Sequence, residues 1–175
     1  MVSEQEVTSK LESKNRIRQI TLIAILTACA AALQMLESPL PRILPWLKIG
    51  LANVITLYAI IRINSFAGIG IAALRTCLAA FAFGSFLSPV HVISFSGAVA
   101  AAVVMALIFH YLPKSSICII SIFGAIASNI SQLLAVQLLF ASNLTIWLHL
   151  ALIIWVGVPT GLIVGKITYE LLRRT

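Results

Sequence analysis

Three polar side chains stand in or beside long apolar runs of this sequence, where they could bind a small molecule. Lys48 and Asn53 lie at the start of one apolar run, shortly after a proline-rich segment, and Arg75 lies near the middle of the next run. A charge or an amide in hydrocarbon is costly unless a partner or a cavity compensates for it. We therefore predict that these residues line a binding site. The alternative is that Lys48 extends to the membrane surface while Asn53 joins two helices.

Further polar residues fall at a similar predicted depth, in the middle to outer part of the helices. Residues that only join pairs of helices would scatter in depth, so this clustering favours one shared cavity. The candidate substrate-binding residues are Gln34, Glu37, Lys48, Asn53, Arg75, His91, Asn129 and Gln132. Two cations among them face one carboxylate, which indicates a ligand with an anionic group. Backbone carbonyls or water are the alternative partners of these cations.

Catalysis is poorly supported, because carboxylates are scarce. The chain has no aspartate, and three of its five acidic residues precede residue 13. An enzyme that holds a diphosphate through magnesium needs clustered carboxylates, and a catalytic triad needs an acid at the right depth. No glycine-rich nucleotide loop occurs, and the three cysteines are isolated, which favours packing roles. We expect a protein that is not itself an enzyme, with no metal site and no cofactor.

The composition places the chain in a membrane. Of its 175 residues, 61% are hydrophobic and 10% are charged, whereas a soluble domain carries about 25% charged residues. The net charge of +7 does not indicate nucleic-acid binding, because the basic residues lie in one tail and at the ends of apolar runs. No nucleic-acid-binding motif occurs either. We predict an all-α integral membrane protein in contact with the lipid bilayer.

Six apolar runs predict six transmembrane helices in one domain over residues 19–175, after a basic cytosolic tail over residues 1–18. Ser65 is a candidate cap of the third helix, and Ser88 followed by Pro89 is a start signal for the fourth. A glycine at every fourth position, from Gly157 to Gly165, predicts close packing of the sixth helix. The predicted spans are 20–36, 47–63, 66–84, 89–111, 117–140 and 146–172.

The distribution of basic residues predicts that both termini are cytosolic. Lysine and arginine cluster in the tail, in both loops on that side and at the C-terminus, whereas only the first loop on the opposite side carries any. That first outer loop contains Pro39, Pro41 and Pro45, which are incompatible with a regular helix. A short, proline-interrupted segment often borders a transport site.

One face of the first span carries small residues. Ala24, Ala28 and Ala32 recur at every fourth position, and such a stripe lets another helix approach closely. The stripe either packs within the chain or docks a separate membrane subunit.

Several motifs resemble one family of membrane proteins. Lys48-Ile-Gly-Leu-Ala-Asn53, Arg75 in the following span, Ser94-Phe-Ser-Gly97 and Gly124-Ala-Ile-Ala-Ser-Asn-Ile-Ser-Gln132 resemble the Gx transporter family. Members of that family are also labelled heptaprenyl diphosphate synthase component I. They are similar to the S components of energy-coupling factor (ECF) transporters, which are six-helix membrane subunits that bind a micronutrient.

The resemblance implies a small-molecule substrate captured from outside and a multi-pass protein of the bacterial cytoplasmic membrane. It implies an ECF transmembrane coupling subunit and ATPase subunits as partners. In this chain, Ala24 and Ala28 would face the coupling subunit, and the loop 37–46 would cover the substrate. The pocket would be lined by Lys48, Asn53, Arg75, Asn129 and Gln132.

Two alternatives stay open from the sequence. The second family label suggests a noncatalytic membrane accessory subunit in prenyl diphosphate or quinone biosynthesis. A purely structural membrane subunit would explain the stripes of glycine and alanine, but it leaves the buried charge of Arg75 unexplained.

Overall fold

The described part of the chain is a bundle of six helices without a strand. A computed structural model describes residues 4–37, 50–140 and 146–174, with the side chains of residues 13–37, 50–140, 151 and 155–174. The helices are α1 Glu4–Glu37, α2 Ala52–Arg62, α3 Ser65–Ala82, α4 Pro89–Tyr111, α5 Ile117–Phe140 and α6 Ile146–Arg174. The predicted all-α fold and its number of helices are confirmed.

Several of these helices are long and apolar enough to cross a membrane. Within the described residues, the candidate spans are Ser13–Glu37, Ser65–Ala82, Pro89–Tyr111 and Ile117–Phe140. The 29 residues of α6 give a helix about 43 Å long, which exceeds a hydrocarbon core of about 30 Å. The chain is therefore a multi-pass membrane protein.

Two predicted helix starts differ from the structure. α1 begins at Glu4, well before residue 20, because the intervening residues include good helix formers and neither glycine nor proline. α2 begins at Ala52 and not at residue 47. Gly50 has φ +80°, in the left-handed region that a helix cannot include, so the chain turns there before α2 starts. Residues 38–49 lie outside the described part of the chain.

The short helix α2 lies on the inner side of an arc of longer helices. α1 packs on α3, α3 on α4, α4 on α5 and α5 on α6, while α2 contacts α1, α3, α4 and α6. Its Leu57 and Ile60 are fully buried against Met105 of α4 and Ile120 of α5. This central position places α2 beside four other helices.

Side-chain caps define the starts of α3 and α4. The prediction that Ser65 caps α3 is wrong by one residue, because Oδ1 of Asn64 accepts the hydrogen bond from the Ala67 N–H at 2.6 Å. Asparagine is as favourable a cap as serine. The predicted start of α4 is confirmed: Ser88 Oγ accepts from the His91 N–H at 3.3 Å, with proline at the first helical position.

Three glycines bring α6 close to α5, as predicted. A Cβ added at Gly161 would lie 2.5 Å from Cα of Ile122, and one added at Gly165 would lie 2.7 Å from Cα of Cys118. Gly157 contacts the same helix one turn away. Approaches this short leave no room for a side chain, so the seam between α5 and α6 depends on glycine.

The alanine stripe of α1 faces away from the bundle. Ala24, Ala28 and Ala32 are exposed, whereas the nearby Ala30 and Ala31 are 0% and 3% exposed. Packing within the chain therefore does not account for the stripe in the described part of the structure. Its role in docking a partner stays a prediction.

Candidate functional site

A polar cavity of about 30 Å³ lies between the first five helices. Eight of its described lining residues carry polar or charged side chains, and the other three are glycine or alanine. The lining residues are Gln34, Glu37, Gly50, Asn53, Arg75, Ser94, Ala98, Ala125, Ser128, Asn129 and Gln132.

Arg75 organises one side of this cavity. Its side chain is 4% exposed, and its Nη2 donates to Oδ1 of Asn53 at 2.6 Å while its Nη1 donates to Oε1 of Gln34 at 3.2 Å. The amide nitrogen of Gln34 donates in turn to Oγ of Ser94 at 3.4 Å. The network joins α1, α2, α3 and α4. Arg75 therefore points into the bundle, whereas the adjacent Leu74 faces outward and is 53% exposed.

Glu37 connects the end of α1 with the start of α2. One of its carboxylate oxygens accepts a hydrogen bond from the backbone N–H of Leu51, just before the first helical residue. The first N–H groups of a helix have no partner within the helix, and a negative charge is favourable beside them. The left-handed turn at Gly50 permits this contact, so the carboxylate is both a helix partner and part of the cavity wall.

α5 supplies another wall of the cavity. Nε2 of Gln132 donates to Oγ of Ser128, one turn earlier, at 3.0 Å. Among the described residues, Oε1 of Gln132 is buried without a hydrogen-bond partner, and so is Nε of Arg75. Gly97 of α4 makes room for the glutamine, because a Cβ there would lie 2.5 Å from Nε2 of Gln132. The position of Gln132 thus depends on two helices.

The structure brings most of the predicted binding residues together. Lys48 lies outside the described residues. His91 does not reach the cavity: it is 8% exposed, and its ring centroid lies 5.3 Å from that of Phe86 and 5.9 Å from that of Phe95. It therefore belongs to an aromatic cluster at the start of α4. The predicted residues that line the cavity are Gln34, Glu37, Asn53, Arg75, Asn129 and Gln132.

Five described lining residues were not identified as candidates from the sequence: Gly50, two serines and two alanines. Serine and alanine are common in transmembrane helices, where they pack closely or bond the preceding turn, so their type alone carries no signal. For Ala125 and Ser128, helical spacing was the available signal, because each stands four positions before a predicted residue, Asn129 and Gln132 respectively. Ser94 and Ala98 stand four positions apart, but neither was a candidate, so spacing gave no signal for them.

The cavity suits recognition of a small polar group through hydrogen bonds. Its described walls offer one guanidinium, one carboxylate, four side-chain amides and two hydroxyls. No aromatic ring, thiol or imidazole occurs among these walls, so neither ring stacking nor soft-metal binding is available from them. The volume of about 30 Å³ accommodates about two water molecules.

Comparison with known proteins agrees with the predicted resemblance. The family model for heptaprenyl diphosphate synthase component I matches residues 26–171. The fold is similar to the solved structure of the S component of a bacterial ECF transporter, with a TM-score of 0.69 and 19% sequence identity over 91% of this chain and 95% of that chain. No curated protein matches the sequence. The bundle thus has the fold of an ECF S component, and the chain belongs to the heptaprenyl diphosphate synthase component I family.

Proposed function

We propose that this protein is the substrate-binding membrane subunit of an ECF-type uptake transporter, and that it binds a small polar or anionic solute beside Arg75. The observation that carries the proposal is the buried guanidinium of Arg75 in the cavity wall. The described hydrogen bonds of this guanidinium go to neutral amide oxygens. An arginine at the centre of a membrane helix costs about 2.5–3.5 kcal/mol on insertion scales. A solute with an anionic or strongly polar group offsets part of that cost.

The same proposal assigns the partners and the orientation. The subunit is not an enzyme itself, and uptake is driven by ATP hydrolysis in partner subunits. The exposed stripe of Ala24, Ala28 and Ala32 docks the transmembrane coupling subunit. Both termini lie in the cytosol of a bacterial cell, on the side where the exposed Arg62 and Lys114 are found, and the solute enters from the opposite side.

Thermal unfolding of the purified protein in detergent tests the binding step. Water-soluble vitamins and small organic acids form the panel, and a solute at one hundred times its Kd stabilises the folded state by about 2.7 kcal/mol. Arg75→Gln should abolish the response, whereas Arg62→Gln, at the exposed end of α2, should keep it. The proposal fails if no solute raises the unfolding temperature, or if Arg75→Gln responds like the parent.

A noncatalytic accessory subunit in prenyl diphosphate biosynthesis is the second candidate. The description of the matching family favours it, whereas the polar lining of the cavity does not suit an isoprenoid chain. Affinity purification from the native membrane separates the two. Recovery of a membrane coupling subunit with ATPases supports the transporter, and recovery of a soluble prenyl synthase supports the accessory subunit.

A further inference from the structure

Two buried polar atoms at the cavity lack a hydrogen-bond partner within the described residues. Nε of Arg75 is a donor and Oε1 of Gln132 is an acceptor, and each side chain is 4% exposed. Buried polar atoms in folded proteins are normally paired, and an unpaired one is costly. Both residues line the same cavity. A solute that accepts from Arg75 and donates to Gln132 would pair both.

The accepting group of such a solute carries a negative charge. The described hydrogen bonds of Arg75 go to the amide oxygens of Gln34 and Asn53, which are neutral. The Glu37 carboxylate in the same cavity interacts with Arg75 through its charge and accepts a hydrogen bond from the Leu51 N–H. A carboxylate forms shorter and stronger bonds to a guanidinium than an amide oxygen does, and its two oxygens match the fork of nitrogen donors. A carboxylate is therefore the group that gains most from this arginine.

The amide nitrogen of Gln132 is engaged, and its oxygen is the atom without a partner among the described residues. Its Nε2 already donates to Ser128. The glutamine also packs directly on Gly97, where a Cβ would lie 2.5, 2.6 and 2.9 Å from Nε2, Cγ and Cδ of Gln132. The missing side chain at position 97 thus creates the space that the glutamine occupies. An O–H or N–H group of the solute is the natural partner of its Oε1.

The described walls offer no aromatic ring for stacking, and the cavity between them is small. The described lining residues that are not polar are Gly50, Ala98 and Ala125, and none of the described lining residues is aromatic. The cavity of about 30 Å³ between the described walls suits a small head group.

We propose that the solute presents a carboxylate to Arg75 and an adjacent O–H or N–H donor to Gln132, as 2-hydroxy acids do. This inference rests on the proposed function and specifies its class of substrate. Gln132 is then the residue that distinguishes such an acid from a simple carboxylate, and Gly97 is a positioning residue for Gln132.

Three probes of nearly equal size test the inference by thermal unfolding and titration calorimetry of the purified protein. Lactate carries both groups, propionate lacks the donor, and lactamide lacks the charge. We expect lactate to bind about tenfold more tightly than propionate, the effect of one buried hydrogen bond, and more tightly still than lactamide. Equal binding of lactate and propionate, or no binding of lactate at high millimolar concentration, overturns the inference.

Two variants localise the preference. Gln132→Leu should bind lactate and propionate equally, and Gly97→Ala should do the same because its new Cβ displaces the glutamine. Gly70→Ala is the matched control, since no atom lies within 4 Å of its added Cβ, and it should keep the preference for lactate. A preference that survives both Gln132→Leu and Gly97→Ala would exclude Gln132 as the selective residue.

The same data separate this inference from the proposed function. One outcome is that lactate does not bind while another solute stabilises the parent protein but not the Arg75→Gln variant. In that case the proposed function stands and the substrate class is wrong. If no solute shows a response that depends on Arg75, both are wrong.

Discussion

The seam between α5 and α6 allows a stability change to be worked out from distances. In Gly161→Ala the new Cβ would lie 2.5 Å from Cα and 3.0 Å from the backbone nitrogen of Ile122. Backbone atoms cannot rotate away, so the helices must separate. In Gly157→Ala the nearest atom is Cγ1 of Ile126 at 3.0 Å, and the nearest backbone atom is 3.6 Å away. A side-chain rotation therefore relieves the contact at Gly157.

The two substitutions should change the free energy of unfolding by different amounts. Overpacking that moves the backbone typically destabilises a protein by about 1–3 kcal/mol. Replacing glycine by alanine inside a helix stabilises the folded state by about 0.5–1 kcal/mol. We expect Gly161→Ala to lower the free energy of unfolding by about 1–2 kcal/mol and Gly157→Ala to leave it nearly unchanged. Titration with denaturing detergent in mixed micelles, followed by tryptophan fluorescence, measures both.

A control in another helix completes the series. Gly70→Ala adds a Cβ with no atom within 4 Å, so it should raise the free energy of unfolding by about 0.5–1 kcal/mol. If Gly161→Ala is as stable as Gly70→Ala, α6 does not press on α5 at Ile122. The placement of the α5 wall of the cavity would then lose its support.

Other predictions concern single contacts. Asn53→Leu removes the acceptor 2.6 Å from Arg75 and should lower the free energy of unfolding by about 1–3 kcal/mol; strict additivity with Arg75→Leu in a double-mutant cycle would contradict the bond. Asn64→Ala removes the cap of α3 and should cost about 1 kcal/mol in the same assay; an unchanged value would refute the cap. Ala28→Leu, on the exposed face of α1, should reduce recovery of a coupling subunit at unchanged thermal stability, whereas Ala31→Leu, at 3% exposure, should lower stability. Normal recovery with Ala28→Leu would assign that face to lipid.

Helix ends marked by local chemistry could be predicted from the sequence. The starts and ends of α4 and α5 agree with prediction, because Ser88 and Pro89 begin one helix and the segment around Pro113 separates the two. The start of α2 could not be predicted, because it depends on the left-handed turn at Gly50 and on the distant carboxylate of Glu37. These are tertiary features that periodicity does not encode.

The polar members of the cavity were predictable for a different reason. Asn53, Arg75 and Gln132 stand out because such side chains are costly in apolar helices. Ser94 does not stand out, and its place in the cavity follows only from the bond that Gln34 donates across to α4. His91 was expected in the site from its depth, but the phenylalanines beside it are close enough to enclose its ring.

The length of α2 has a consequence for the electrical behaviour of the site. Its 11 residues span about 16 Å, about half of the hydrocarbon thickness. If Arg62 lies at the cytosolic surface, as the proposed orientation requires, the first turn of α2 and the neighbouring guanidinium lie near the mid-plane. A monovalent anion arriving from outside would cross about half of the transmembrane voltage, at a cost of about 1 kcal/mol per 100 mV. At a membrane potential of about 100 mV, negative inside, the protein should therefore bind that anion about sevenfold more weakly than in a depolarised membrane. Its affinity for a zwitterion should not depend on voltage.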